Sequence, residues 1–204
     1  MPILHHMQIS GNCYKVRLLA HQLDIPLTLK EYGLHDSKTR TPEFLTLNPN
    51  GRVPLLEFDD GRILAESSAI LFYLSEGTRM QPENSWDRAQ MLQWMFFEQY
   101  SHEPYIAVAR FWLTYAKKAD LEKRKHLVPE WHEKGQAALG VMESHLSTHD
   151  WFAGGVYSIA DIALYGYTHS AGEGGFELND YPAVCAWLNR VAAQRGFITL
   201  DTSW

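Results

Sequence analysis

Cysteine is almost missing from this 204-residue chain, which carries only Cys13 and Cys185. Two thiols cannot staple a small disulfide scaffold or build a zinc ribbon, and their scarcity makes a reducing, cytoplasmic setting the expectation. Positive charge is also short: 18 Lys and Arg stand against 24 Asp and Glu, for a net charge of −6. Nucleic acid and anionic membrane are therefore not expected partners. Apolar runs stay brief, as in Ala69-Ile70-Leu71-Phe72-Tyr73-Leu74, where a membrane span needs about 20 residues. Met1-Pro2-Ile3-Leu4-His5-His6 has neither a basic region nor a long apolar one, so no signal peptide is expected. Aromatic residues, by contrast, are plentiful. Trp, Tyr and Phe make up 13% of the chain, most of them after residue 85, and 46% of all residues are apolar, enough to bury a core.

The stretch up to about residue 78 alternates strand-like and helix-like segments. Pro2 to Ile9 has strand length and ends in the turn chemistry of Ser10-Gly11-Asn12. Tyr14 to Leu23 places Val16, Leu19, Ala20 and Leu23 at helical spacing, and Leu27 to Tyr32 alternates again. A short helix is expected around Pro42-Glu43-Phe44-Leu45. Two strands, Val53 to Phe58 and Arg62 to Leu64, flank Asp59-Asp60-Gly61 as a hairpin, and a helix starts at Ser67. The order βαβαββα implies one parallel strand pair with an antiparallel hairpin at the edge. Pro54, inside a strand-like run, marks an edge, a bulge or a cis turn.

Residues 77–85 read as a polar linker, and the chain beyond them is helical. Trp86 to Tyr100 and Tyr105 to Lys118 are apolar nearly all round, as buried helices are. Leu121 to Leu146 is amphipathic with a break or bend at Pro129. Ser158-Ile159-Ala160-Asp161 opens another helix like a capping box, and Tyr181-Pro182 opens the last. The expected organisation is thus an α/β domain over 1–78, a linker over 79–85 and an all-α domain over 86–204.

Three segments can carry chemistry. Ser10-Gly11-Asn12-Cys13 lies where a strand meets a helix N-terminus, whose N–H groups and dipole favour an anion such as a thiolate. A thiol pKa starts near 8.5, and each tenfold gain in ionisation takes about 1.4 kcal/mol, which a hydroxyl donor and a helix end can supply. The plainer alternative is a Ser10 helix cap. Asn48-Pro49-Asn50-Gly51-Arg52-Val53-Pro54 leaves the Val53 backbone open to an extended peptide ligand, or is simply an edge proline. In Glu66-Ser67-Ser68, Ser67 at a helix start suits a carboxylate and Glu66 an ammonium, the two ends of an amino-acid head group, though helix caps look the same.

In this order, and with the Ser158-x-x-Asp161 box late in the chain, the three segments resemble the cytosolic glutathione transferase family over essentially the whole length. The resemblance implies a thioredoxin-like N-terminal domain, an all-helical C-terminal domain and a cytoplasmic homodimer. Glutathione would be co-substrate, its thiolate conjugated to a hydrophobic electrophile in a detoxification reaction. It also assigns roles. Ser10 would donate to the glutathione sulfur, as in the theta-, phi- and zeta-like serine classes, with Asn12 and Cys13 as alternatives. Val53 would pair its backbone with the cysteinyl part, with Pro54 cis. Glu66 and Ser67 would hold the γ-glutamyl ends. Arg52, and with it Arg40 or Lys38, would face the glycyl carboxylate. Tyr105, Arg110 and Phe111, with Trp204, are the candidates for the electrophile pocket. Ser158 and Asp161 would be structural. No tyrosine ends the first strand, so the tyrosine-type classes are not close relatives. Serine at the first position of Ser10-x-x-Cys13 removes a dithiol mechanism and leaves Cys13 a buried thiol or a partner for a mixed disulfide with glutathione. Other chemistry of the same thiol remains open (isomerase, peroxidase, dehalogenase, reductase), as does a non-catalytic binding module. His145 and His149 are spaced i, i+4 without a third ligand, so no metal is expected. His5 and His6 cannot chelate together from opposite strand faces, and Gly172-x-Gly174-Gly175 follows no strand and is no dinucleotide fingerprint.

Overall fold

The computed structural model describes residues 1–203, so Trp204 lies outside the described residues. The chain divides into two units, one of Met1–Thr78 with the tail from Gln194, the other of Arg79–Ala193. The tail was expected to continue the helical domain. Instead it returns to the first unit, because its backbone carbonyls find their donors there.

In the first unit, β1 (Ile3–His6), α1 (Gly11–Gln22), β2 (Thr28–Glu31), α2 (Pro42–Leu47), β3 (Leu55–Glu57), β4 (Ile63–Ala65) and α3 (Ser67–Leu74) follow the expected order. The sheet runs β2-β1-β3-β4, with β1 parallel to β2 and the other pairs antiparallel. This is the thioredoxin-like arrangement. Val16 and Ala20 of α1 and Ile70 of α3 pack with Leu4, Leu27 and Leu56 as one buried cluster. The hairpin closes through Gly61 N–H to Phe58 C=O at 2.9 Å, with Gly61 at φ 83°, a conformation glycine adopts without steric cost.

The second unit is helical: α4 (Ser85–Phe97), α5 (Glu103–Arg110), α6 (Lys118–Glu122), α7 (Val128–Leu146), α8 (Ile159–Thr168) and α9 (Pro182–Ala192). Two π-helical turns, Glu98–His102 and Phe111–Tyr115, flank α5. Pro129 does not bend a longer helix. It stands in the first turn of α7, where its missing N–H would have no partner anyway. The two aromatic-rich helices are not buried all round: Trp86, Phe96 and Tyr100 are 71%, 69% and 84% exposed. Apolar composition around a helix shows which faces could be buried, and the packing covers only one. α8 is buried along its whole length and starts with the expected capping box. Asp161 there also accepts from Phe152 N–H and Trp187 Nε1, so it ties three segments together. No described helix is long and apolar enough to cross a membrane.

Candidate functional site

Strand register gathers three sequence-distant segments at one end of the sheet. His5 lies opposite Leu55, and Leu55 opposite Ala65. One step beyond these pairs come His6, Pro54 and Glu66, and then the turn into α1, the Val53–Pro54 bond and the start of α3. That bond is cis. Pro54 therefore stands just ahead of the internal strand β3, where its lack of an N–H breaks no ladder. Among the described residues, no hydrogen bond engages the Val53 N–H or C=O.

Ser10 is the N-cap of α1, and its Oγ accepts from Cys13 N–H at 3.3 Å. The cap uses a lone pair and not the hydroxyl proton, which has the Cys13 sulfur beside it. Asn12, in the first turn of the same helix, accepts at Oδ1 from Lys15 Nζ at 2.7 Å and from Ser67 Oγ at 3.2 Å. Two donors on one oxygen fix which end of the amide is which. Cys13 is wholly buried, and burial pushes its thiol up to about 11 despite hydrogen bonds from Ser10 and Met7. Both its burial and its raised pKa disfavour the thiolate form that a nucleophile needs.

The start of α3 is built differently. Glu66 precedes it at φ 69°, ψ 117° and gives no side-chain cap. A non-glycine residue there costs about 1–3 kcal/mol, a strain that concentrates where function needs a backbone aimed. Its C=O still accepts from Ile70 N–H at 2.9 Å. No described side chain caps the first-turn N–H groups of α3, and Ser67 is buried at 5% exposure. Its free N–H groups and dipole have the character that favours an anion.

The remaining expected residues are less gathered. Arg40 donates from Nη1 to Asn50 C=O at 2.9 Å and packs on Gly51, while Lys38 pairs with Asp36 at 3.4 Å. Arg52 is exposed, its C=O taken by Asn48 Nδ2. In the second unit, Tyr105 lines a groove of about 300 Å³ with Phe97, Tyr100, Lys134 and Val141. Phe111 lies on the next π-helical turn, edge-on to Trp112, and does not line that groove. Arg110 is placed otherwise than expected. It is 3% exposed, with Nε on Glu173 at 2.9 Å and Nη2 on Tyr115 Oη at 2.8 Å, so its charge is held inside the helical unit. Sequence reasoning missed Lys15 and Glu173. Neither could be found by spacing, because Lys15 reads as an ordinary helix-surface residue and Glu173 acts on a residue 63 positions away.

Residues 9–76 match the family model of the glutathione S-transferase N-terminal domain, and residues 93–195 that of its C-terminal domain. The chain is 52% identical to a solved structure described as a possible glutathione S-transferase from Rhodopseudomonas palustris, with a TM-score of 0.95, covering 100% of this chain and 91% of that one. It is 30% identical to the glutathione S-transferase-like protein tpcF of Aspergillus fumigatus, over 96% of this chain and 95% of that protein. It is 27% identical to the disulfide-bond oxidoreductase YfcG of Escherichia coli, over 91% and 87%.

Proposed function

The chain belongs to the glutathione S-transferase family, and from that premise we propose that it binds glutathione at the α1–α3 end of its sheet and transfers the thiolate to a hydrophobic electrophile. Glutathione is the co-substrate of this family. The observation that carries the reading is the uncapped N-terminus of α3, held open by the left-handed Glu66 and joined to the α1 turn through Ser67 and Asn12. The γ-glutamyl carboxylate would take the α3 N–H groups and its ammonium the Glu66 carboxylate. The Val53 N–H and C=O would pair with the cysteinyl backbone. Arg52, exposed beside Val53, would meet the glycyl carboxylate, with Arg40 as a second candidate. This leaves the sulfur near Ser10, whose hydroxyl proton would hold it as thiolate. Tyr105, in the groove of the helical unit, and Phe111, outside that groove, are the apolar candidates to meet the electrophile. The enzyme positions and stabilises, while the ligand brings the nucleophile. A cytoplasmic homodimer fits the family. A second copy would have the exposed Phe72 and Tyr73 of the first unit, and Trp86, Phe96 and Tyr100 of the second, to cover.

A second reading keeps the site and changes the reaction to disulfide reduction by glutathione, with Asn12 as the sulfur's donor. The named activity of the Escherichia coli relative favours it, as does the fixed orientation of the Asn12 amide. Measured side by side, conjugation of a chloronitrobenzene and reduction of a model disulfide separate the two. Ser10→Ala is expected to keep most glutathione affinity and lose at least tenfold in kcat. Near-wild-type conjugation by that variant rejects Ser10 as the donor, and no glutathione binding by the wild type at millimolar concentration rejects the whole reading.

A further inference from the structure

The tail from Gly196 to Thr202 lies along one face of α1 and ends on the loop that leads into Ser10. His21 Nδ1 meets Gly196 C=O at 2.8 Å, and Tyr14 Oη donates to Ile198 C=O at 2.6 Å. Arg17 Nη2 donates to Leu200 C=O at 3.0 Å, and Gln8 Nε2 donates to Leu200 C=O at 2.6 Å and to Thr202 C=O at 3.3 Å. Tyr14, Arg17 and His21 stand at i, i+3 and i+7, one stripe of the helix. Every second residue of the tail, from 196 to 202, offers the acceptor. Gly196 sits at φ 73° with α1 so close that a Cβ there would lie 3.0 Å from Gln22 Cα. The approach needs glycine.

Gln8 is where the tail meets the loop. Its N–H donates to Glu31 Oε1 at 2.9 Å, and its C=O accepts from Arg17 Nη2 at 2.9 Å. Its side-chain oxygen accepts from Arg17 Nη1, and its side-chain nitrogen holds the two tail carbonyls. Each polar group of this one residue is engaged, two positions ahead of the N-cap. Arg17 is 1% exposed, and its two Nη atoms donate to carbonyl oxygens of Gln8 and Leu200. A buried guanidinium whose Nη2 donates to two backbone carbonyls, one in the loop and one in the tail, and whose Nη1 donates to the Gln8 side chain, joins those two segments through directional bonds.

We propose that the C-terminal segment is a strap that fixes the Met7–Ser10 loop, and that Arg17 and Gln8 are positioning residues through which the strap sets the donor geometry at Ser10. The role rests on the glutathione reading above. A hydroxyl that shifts by a fraction of an ångström donates less well to a thiolate while the peptide ligand still binds, so the effect falls on thiol ionisation and turnover more than on affinity.

The test uses the full chain with Gln8→Ala and Arg17→Lys. Amide exchange of residues 7–13 and 197–202 reports the strap without any ligand. The ultraviolet signal of bound thiolate against pH, and kcat against KM, report the site. Gln8→Ala is expected to raise exchange in both segments together and to raise the apparent pKa of bound glutathione by about 1, a tenfold loss of thiolate. Its kcat falls about as much, and its KM for glutathione changes less than threefold. Arg17→Lys, which keeps the charge but not the fork, is expected to fall between wild type and Gln8→Ala. Loosened exchange with an unmoved thiol profile and kcat would overturn the positioning role and leave the tail as packing. Exchange that rises in only one segment would overturn the strap. A wild type that binds no glutathione would sink the site reading and the positioning role with it, while the exchange result still decides the strap.

Discussion

Ser67 Oγ donates to Asn12 Oδ1 at 3.2 Å, although 55 positions separate them and they belong to the first turns of different helices. The same oxygen takes Lys15 Nζ. One amide oxygen thus couples the uncapped start of α3 to the turn that carries Ser10.

Asn12→Ala removes the shared acceptor and leaves a buried ammonium and a buried hydroxyl to find others. Leaving a buried donor unsatisfied costs about 1–3 kcal/mol, and each kcal/mol lowers Tm by about 2–4 °C at this chain length. A Tm loss of several degrees is expected by calorimetry, with weaker glutathione binding. Asn12→Asp, which keeps two acceptors, should recover most of the stability. A variant as stable as wild type would show that Lys15 and Ser67 do not depend on this oxygen.

Cys13 should be chemically silent in the folded protein. With its thiol pushed up to about 11 and no exposure, only about one part in a thousand is thiolate at pH 8. Cys185 is half-buried, donating to Leu178 C=O at 3.1 Å. Under iodoacetamide at pH 8, peptide mapping is expected to find Cys185 alkylated well before Cys13, and Cys13→Ala to retain conjugation. Rapid native modification of Cys13 would contradict its burial.

Acid should weaken the first unit through His5. The ring is buried, meeting Tyr32 Oη at 2.8 Å and Glu57 Oε2 at 2.9 Å. Burial lowers its pKa below the usual 6.5, more than Glu57 raises it. The unfolded chain therefore binds the proton more readily. The stabilising contribution is complete above about pH 6.5 and is lost as pH falls through the lower folded value. His5→Gln should flatten the Tm profile between pH 7.5 and 5.5 while lowering its plateau. Parallel profiles would assign the acid sensitivity elsewhere, His6 being the next candidate.

Gly135 in α7 is held to its size by Phe176. A Cβ there would come within 2.5 Å of two ring carbons, with Ile106 closing the other side at 3.3 Å. Gly135→Ala would gain helix propensity of about 1 kcal/mol, but overpacking costs about 1–3 kcal/mol. A net loss of stability is expected in denaturant titration. Phe176→Leu in the same background should restore part of it.

Local rules made much of this protein legible. The turn at Asp59-Asp60-Gly61, the capping box from Ser158 to Asp161 and the hydrophobic face of α1 each depend on residues within about seven positions, and the structure contains all three. The order of elements in the first unit came from them, and so did the three segments that converge at one end of the sheet. What the chain could not show by itself was which distant groups meet. Arg110 was legible as a cation and became the buried partner of Glu173, because a charge removed from water takes whatever carboxylate the packing brings to it. Trp86 and Tyr100 were legible as apolar and stayed exposed. The tail looked like more of the helical unit until its carbonyls met Arg17 and Gln8. Periodicity encodes the face a residue presents, whereas the partner across that face, and with it the left-handed Glu66 and the doubly bonded Asn12 oxygen, exists only once the chain has closed on itself.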